Sequence, residues 1–260
     1  MTRFPRTVRW LPALVGVLGA ATTAPLVAQD APKPPYEFVG DFSLAASQGN
    51  QQITTLALGQ RYSYQFARWK FSQTASAVRG TANGVRNAEL FQASVRTDHE
   101  ITKKLTAYLS ANGLRNIPAG INSQIQEGVG LAYQFLDTDT DKVQLSAGVG
   151  ALQRTFVGGV DGENDFVGNV SGLFRHAFSK TAYFEQTAAL TPNFTTTDAW
   201  LLTAKSALVA PLSARIGIKV GYLVNVNNAP PLLPPVNGVV QTDRFKKFDG
   251  LLTTGLQFTY

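Results

Sequence analysis

Beyond residue 35 the dominant rhythm of the chain is alternation with a period of two. The last segment shows it best: Phe248, Gly250, Leu252, Thr254, Leu256, Phe258 and Tyr260 form one face, and Lys247, Asp249, Leu251, Thr253, Gly255, Gln257 and Thr259 the other. Successive side chains of a strand point to opposite faces. One largely apolar face and one polar face suit a sheet that separates two different solvents. The pattern recurs through Ile216–Val226, Val143–Val149 and Val129–Phe135. It predicts about twelve strands, over 36–47, 52–66, 69–79, 86–99, 104–114, 123–136, 142–156, 165–178, 181–191, 198–210, 214–227 and 245–260, and these spans are near the length of tilted membrane strands. No segment reads as a long amphipathic helix.

The connections alternate in kind. One set is tight: Ala67-Arg68, Glu100–Lys103, Asp137–Asp141, Ser179-Lys180 and Pro211–Ser213. The other is longer and richer in Gly, Pro and Asn: Gly80–Val85, Asn116–Asn122, Val157–Asn164, Pro192–Thr197 and Asn228–Arg244, with Gln48–Gln51 its one short member. Short turns at one rim and long loops at the other are the layout of a transmembrane up-and-down antiparallel β-barrel, an all-β fold, in a bacterial outer membrane. Aromatics follow the same geography: 14 of the 25 beyond residue 28, Tyr62, Phe66, Trp69 and Tyr133 among them, are predicted near the short-turn rim. Phe91, Phe156, Phe166, Trp200 and Phe248 are predicted near the other. Such girdles form where a ring sits between hydrocarbon and headgroups. A soluble barrel would share the period, but twelve strands enclose more volume than about 230 residues can fill with apolar side chains.

Composition adds a location. Residues 1–28 hold Arg3, Arg6 and Arg9 with no acid, then an apolar run from Trp10 to Ala21, then small residues up to Ala28. That anatomy is expected of a cleaved signal peptide. A retained anchor needs about 20 apolar residues, and Pro12 and Thr22-Thr23 interrupt this run. Residues 29–35 form a Pro-rich lead-in, and 36–260 the barrel domain. Most of the formal charge of +6 lies in the leader; without it the chain has 20 basic and 17 acidic residues, or +3. The remaining bases are scattered singly, so no nucleic-acid partner is indicated.

The short first hairpin with Gly49-Asn50, Thr242-Asp243 leading into the last strand, and the ending Gly255-Leu256-Gln257-Phe258-Thr259-Tyr260 make the chain resemble the family described as salt-induced outer-membrane proteins, over roughly residues 36–260. The resemblance implies an outer-membrane barrel of uncharacterised role. Outer-membrane barrels usually end in Phe, an aromatic signal to the barrel assembly machinery, and Tyr260 stands in its place.

Chemistry-bearing motifs are sparse. There are no cysteines and two histidines, His99 and His176. Asp137-Thr138-Asp139-Thr140-Asp141 opens like a calcium loop, but Lys142 and Gly148 occupy the positions that need Gly and Glu. Gly128-Val129-Gly130 and Gly148-Val149-Gly150 precede no helix that could hold a phosphate, so small inward-facing residues are the better reading. His99 and Asp98 are adjacent and point to opposite faces of a strand, so they make no dyad. No enzyme activity, cofactor, catalytic residue or metal site is expected. Strand phase instead turns Arg61, Lys70, Arg86, Arg96, Arg154, Arg175, Lys205, Arg215, Lys219 and Lys247 toward the lumen, against Glu37, Asp41, Asp98, Glu185 and Asp249. Such a lining favours small anionic solutes. The expected function is a passive pore for small polar or anionic solutes, with a closed structural or stress-response envelope barrel as the alternative. The expected surroundings are outer-membrane lipid and lipopolysaccharide.

Overall fold

The computed structural model describes residues 35–47, 53–236 and 241–260, and their side chains except at 45–47, 53 and 85–87. The segment expected to be a signal peptide, the lead-in as far as Pro34 and the turn of the first hairpin lie outside the described residues.

Twelve strands follow one another: β1 (Tyr36–Ser47), β2 (Ile53–Phe66), β3 (Trp69–Ala82), β4 (Val85–Glu100), β5 (Leu105–Asn116), β6 (Ile121–Asp137), β7 (Asp141–Phe156), β8 (Glu163–Ala177), β9 (Tyr183–Thr191), β10 (Leu201–Pro211), β11 (Ile216–Asn227) and β12 (Phe248–Thr259). Each pairs antiparallel with its neighbours in sequence, and β1 pairs with β12 to close the ring. Closure leaves no edge strand to satisfy, which an open sheet in hydrocarbon could not survive. Single 3-10 turns at Ile117–Ala119 and Val157–Gly159 are the helical residues among those described.

Cross-strand pairs identify the inner face. Arg61 on β2 reaches Glu185 on β9, five positions around the ring, and only the interior allows that contact. Ladder partners share a face, so Arg61 carries Val39, Thr74, Ser94 and Asn112 inward with it. The opposite face is a belt of exposed apolar side chains, including Leu56, Leu58, Val95, Leu109, Val129, Leu131, Leu145, Val170, Leu208, Val220 and Leu252. In water so continuous a belt would be an aggregation surface. As the outer wall of a closed barrel it is a hydrocarbon-facing band, and the molecule is a membrane-spanning barrel.

One connection and one aromatic differ from expectation. Gly80–Val85 is not a loop: β3 and β4 run on to a two-residue turn at Asn83-Gly84, both at positive φ (50° and 77°). Asn-Gly is the preferred pair for that turn, because its twist matches the flanking strands. Phe156 is no girdle aromatic; it pairs with Ile121 and both are buried.

Candidate functional site

The interior near the short-turn end is a polar belt. Arg61 Nη2 donates to Glu185 Oε1 at 3.2 Å, making a strut nearly across the ring. Arg175, the ladder partner of Glu185, lies 3.6 Å from the same carboxylate and stacks 3.8 Å above the Tyr183 ring. Tyr183 donates its hydroxyl to Gln257 Oε1 (2.9 Å), and Gln257 Nε2 donates to Asp41 (3.2 Å). Asp41 also accepts from Lys219 Nζ (2.7 Å). The belt thus runs from β1 through β12 and β11 to β9 and β2.

Two features separate this belt from a packed core. The Arg61 side chain is 49% exposed although it lies inside the ring, so the lumen at that level is open to solvent rather than packed. Lys205, ladder partner of Thr187 on the inner face, is also exposed there. It sits within electrostatic reach of Arg61 and Lys219 and has no hydrogen-bond or ion-pair partner among the described residues. Four cations, Arg61, Arg175, Lys205 and Lys219, therefore gather around three acids, Asp41, Glu185 and, near Arg61, Glu37.

Tyr108 on β5 is 5% exposed and lies flat across β6 and β7, its hydroxyl over Gly130 and Gly148. The Arg96 guanidinium stacks 3.9 Å above that ring and is held bidentate by Asp98 at 2.7–3.1 Å. These glycines make room for the Tyr108 side chain.

The remaining lumen residues read from strand phase are spread more widely. Lys70 pairs with Asp98 in the ladder, on the face of Arg96. Arg154 is 1% exposed near the long-loop end, with Glu163 at 2.6 Å and Asp165 at 3.5 Å, and is walled in rather than water-lining. Arg215 and Lys247 precede β11 and β12 and stand at the mouths, Arg215 5.9 Å from the Tyr260 ring and Lys247 donating to Asn228. Arg86 lies beyond a bulge at Gly80/Thr81, where strict alternation from Arg96 breaks, and its side chain is outside the described residues. Phase counting cannot see a bulge, because one extra residue reverses every face beyond it. Nor could it single out Lys205, whose isolation depends on strands far apart in sequence.

Neither histidine joins the belt. His99 stacks on Trp69 (4.4 Å) on the outward face, away from Asp98. His176 Nδ1 meets Asp141 Oδ1 at 2.7 Å at the short-turn rim. The hydroxyl there, Thr140, bonds to the carboxylate and not to the imidazole, so nucleophile and base are not in contact. In the Asp137–Asp141 turn, Thr138 bonds to Asp141 and Lys142 pairs with Asp137, which accounts for it as a turn. No cluster of three or more metal-ligating side chains occurs among the described residues.

At the long-loop mouth, described residues of the β11–β12 connection pack against the opposite rim, where Phe245 and Pro231 lie over Gly120, and Pro234 over Gly158. Pro230, Pro231, Gly120 and Ile121 are buried together there.

Fold and interior together define a membrane-spanning β-barrel with a charge-lined, water-accessible lumen. The family model described as "Protein of unknown function, DUF481" matches residues 40–256, and the chain belongs to that family. No curated protein matches it. Similar solved structures include the NanC porin (12% identity, TM-score 0.48, 85% of this chain and 98% of that one). The translocator domain of autotransporter NalP from Neisseria meningitidis is another (11%, 0.47, 89% and 90%). A third is an anion-selective porin from Comamonas acidovorans (10%, 0.41, 86% and 98%).

Proposed function

We propose that this chain is a passive pore of the bacterial outer membrane for small polar or anionic solutes. One observation carries the reading: inside the ring, the half-exposed Arg61 and the unpaired Lys205 lie with Lys219 and Arg175, four cations against Asp41, Glu185 and Glu37. A narrow lumen with low-dielectric walls focuses such a field and concentrates counter-ions of opposite sign. Export through a cleaved signal peptide, and assembly aided by the terminal Tyr260, complete the reading. Lipopolysaccharide is the expected lipid neighbour at the long-loop rim, and the salt-induced role of the resembled family is one physiological setting for such a pore.

Reversal potentials in planar bilayers under a salt gradient test it. Anion preference is expected, with a shift toward cations in Lys205→Glu combined with Lys219→Gln. Cation preference of the unaltered chain would refute an anion pore. Silence of correctly folded protein, both unaltered and with Phe245→Ala, would refute any pore. A closed envelope barrel is the second reading, favoured by the Arg61–Glu185 strut that bridges the lumen.

A further inference from the structure

The outer wall at the long-loop rim has two unlike sectors. On β9 to β12 it is apolar: Leu190, Leu202, Val226 and Phe248 share one ladder row. On β3 to β8 it carries polar and charged groups. Arg79 pairs with Glu89 in the ladder, and Arg115 with Phe91, an exposed outward ring. The Arg115 side chain is 46% exposed; its Nε donates to Glu89 Oε1 (3.3 Å) and its Nη1 to Asn122 Oδ1 (2.8 Å). Glu89 itself is nine-tenths buried beside it. Arg79 is exposed and has no hydrogen-bond or ion-pair partner among the described residues.

Next to Arg115 lies a groove of about 380 Å³ across β6, β7 and β8. Gly113, Ile125, Gln153 and Asn164 form one ladder row, and the exposed Ile125 marks it as outward. Ser123 and Thr155, ladder partners one row nearer the rim, share that face. Asn122 ties the groove to Arg115, donating from Nδ2 to Thr155 Oγ1 at 3.5 Å. Among the described residues, the side chains of Ser123, Gln153 and Asn164 make no hydrogen bond. Nearer the middle the wall turns apolar, with Leu109, Val129, Leu131 and Val149 exposed. Glu127 also points outward, two ladder rows nearer the middle than Arg115.

Three chemistries thus follow one another down this wall: guanidinium, then amide and hydroxyl, then hydrocarbon. Arginine takes a phosphate through paired N–H donors. Side-chain amides and hydroxyls offer both donors and acceptors, which sugar hydroxyls need. An outward arginine is costly at the bilayer middle and cheap near the interface, where these two stand. We propose that the outer wall of β3 to β8 binds a phosphorylated glycolipid of the outer leaflet. Its anionic groups sit on Arg115 and Arg79, its sugar in the groove at Gln153 and Asn164, and its acyl chains along Val129 and Val149. A lipid with a glycerol headgroup would leave the groove amides without partners. The site rests on the outer-membrane reading and not on a conducting lumen.

Native mass spectrometry of the detergent-purified chain counts bound lipid. Lipid A should be retained one per chain, and held more tightly than its dephosphorylated form or phosphatidylglycerol. Arg79→Gln with Arg115→Gln should weaken lipid A binding about tenfold, the scale of hydrogen bonds to a charged group, and remove the preference for the phosphorylated form. Gln153→Ala with Asn164→Ala, at two exposed positions, should weaken both forms several-fold. Leu202→Ala with Phe248→Ala, in the apolar sector, should leave binding unchanged. An unboiled gel band establishes that each variant is folded. Equal binding of the two lipid A forms by the parent, displacement by phosphatidylglycerol at equal concentration, or full binding by the folded arginine variant would overturn the site. Binding is read without current, so it stands or falls apart from the pore.

Discussion

Gly148 shows how much one missing side chain can mean inside this barrel. A Cβ there would sit 2.6 Å from the Tyr108 hydroxyl and 2.5 Å from the Val129 carbonyl, both well inside contact distance. The Gly-Val-Gly repeats are legible in sequence as small inward residues. That Tyr108 fills the space above them is not, because it depends on the registers Tyr108 with Gly130 and Gly130 with Gly148. Gly148→Val should destabilise the barrel by about 1–3 kcal/mol, the usual cost of overpacking. Urea unfolding in detergent, followed by tryptophan fluorescence, would measure it. Tyr108→Ala in the same chain should recover part of the loss, since groups in contact are coupled. Strict additivity of the two changes would mean that Tyr108 does not occupy the glycine slot.

The closing seam is the exposed point among the elements. β1 pairs with β12 over Val39–Phe42 and Leu256–Thr259, extended by reciprocal backbone bonds between Phe38 and Tyr260 (3.1 and 2.9 Å). The β1–β2 ladder, by contrast, runs from Tyr36 to Ser47. Removing Phe258–Tyr260 cuts into this short ladder and leaves backbone groups unpaired in a membrane, where each costs several kcal/mol. The unboiled, fast-migrating band on a gel should then be lost at a lower temperature than in the full chain. Tyr260→Phe keeps the backbone bonds and should not move that temperature. An unchanged transition after the deletion would show that the seam is held elsewhere. Strand boundaries themselves were largely readable, because alternation marks them. The Asn83-Gly84 turn was not: it carries the residue pair its geometry requires, but the Gly-rich stretch around it reads as a longer loop.

At the scale of the molecule the barrel inverts a soluble protein, with hydrocarbon outside and water within. Neighbours on one strand should therefore respond in opposite ways to the same side chain. Leu109 is 63% exposed on the outer wall near the middle of β5, and Asn112 faces the lumen opposite Ser94 and Gln126. Leu109→Arg should cost about 2–4 kcal/mol in lipid vesicles, as a cation facing the bilayer interior does. Asn112→Arg keeps its charge in water and should change stability by much less. Equal losses at the two positions would mean that the outer wall does not face lipid.

The sequence by itself determined the class: twelve alternating segments, their spans, the contrast between short turns and long loops, and a polar face with more bases than acids. These are local properties, set by a period of two and by turn chemistry that acts over a few residues. The Arg61–Glu185 strut, the solitary Lys205 and the packing of Phe245 and Pro234 on Gly120 and Gly158 were decided by tertiary structure alone. Each joins residues on strands remote around the ring, and which of them meet depends on barrel closure, bulges and register, all of which are set over the whole chain.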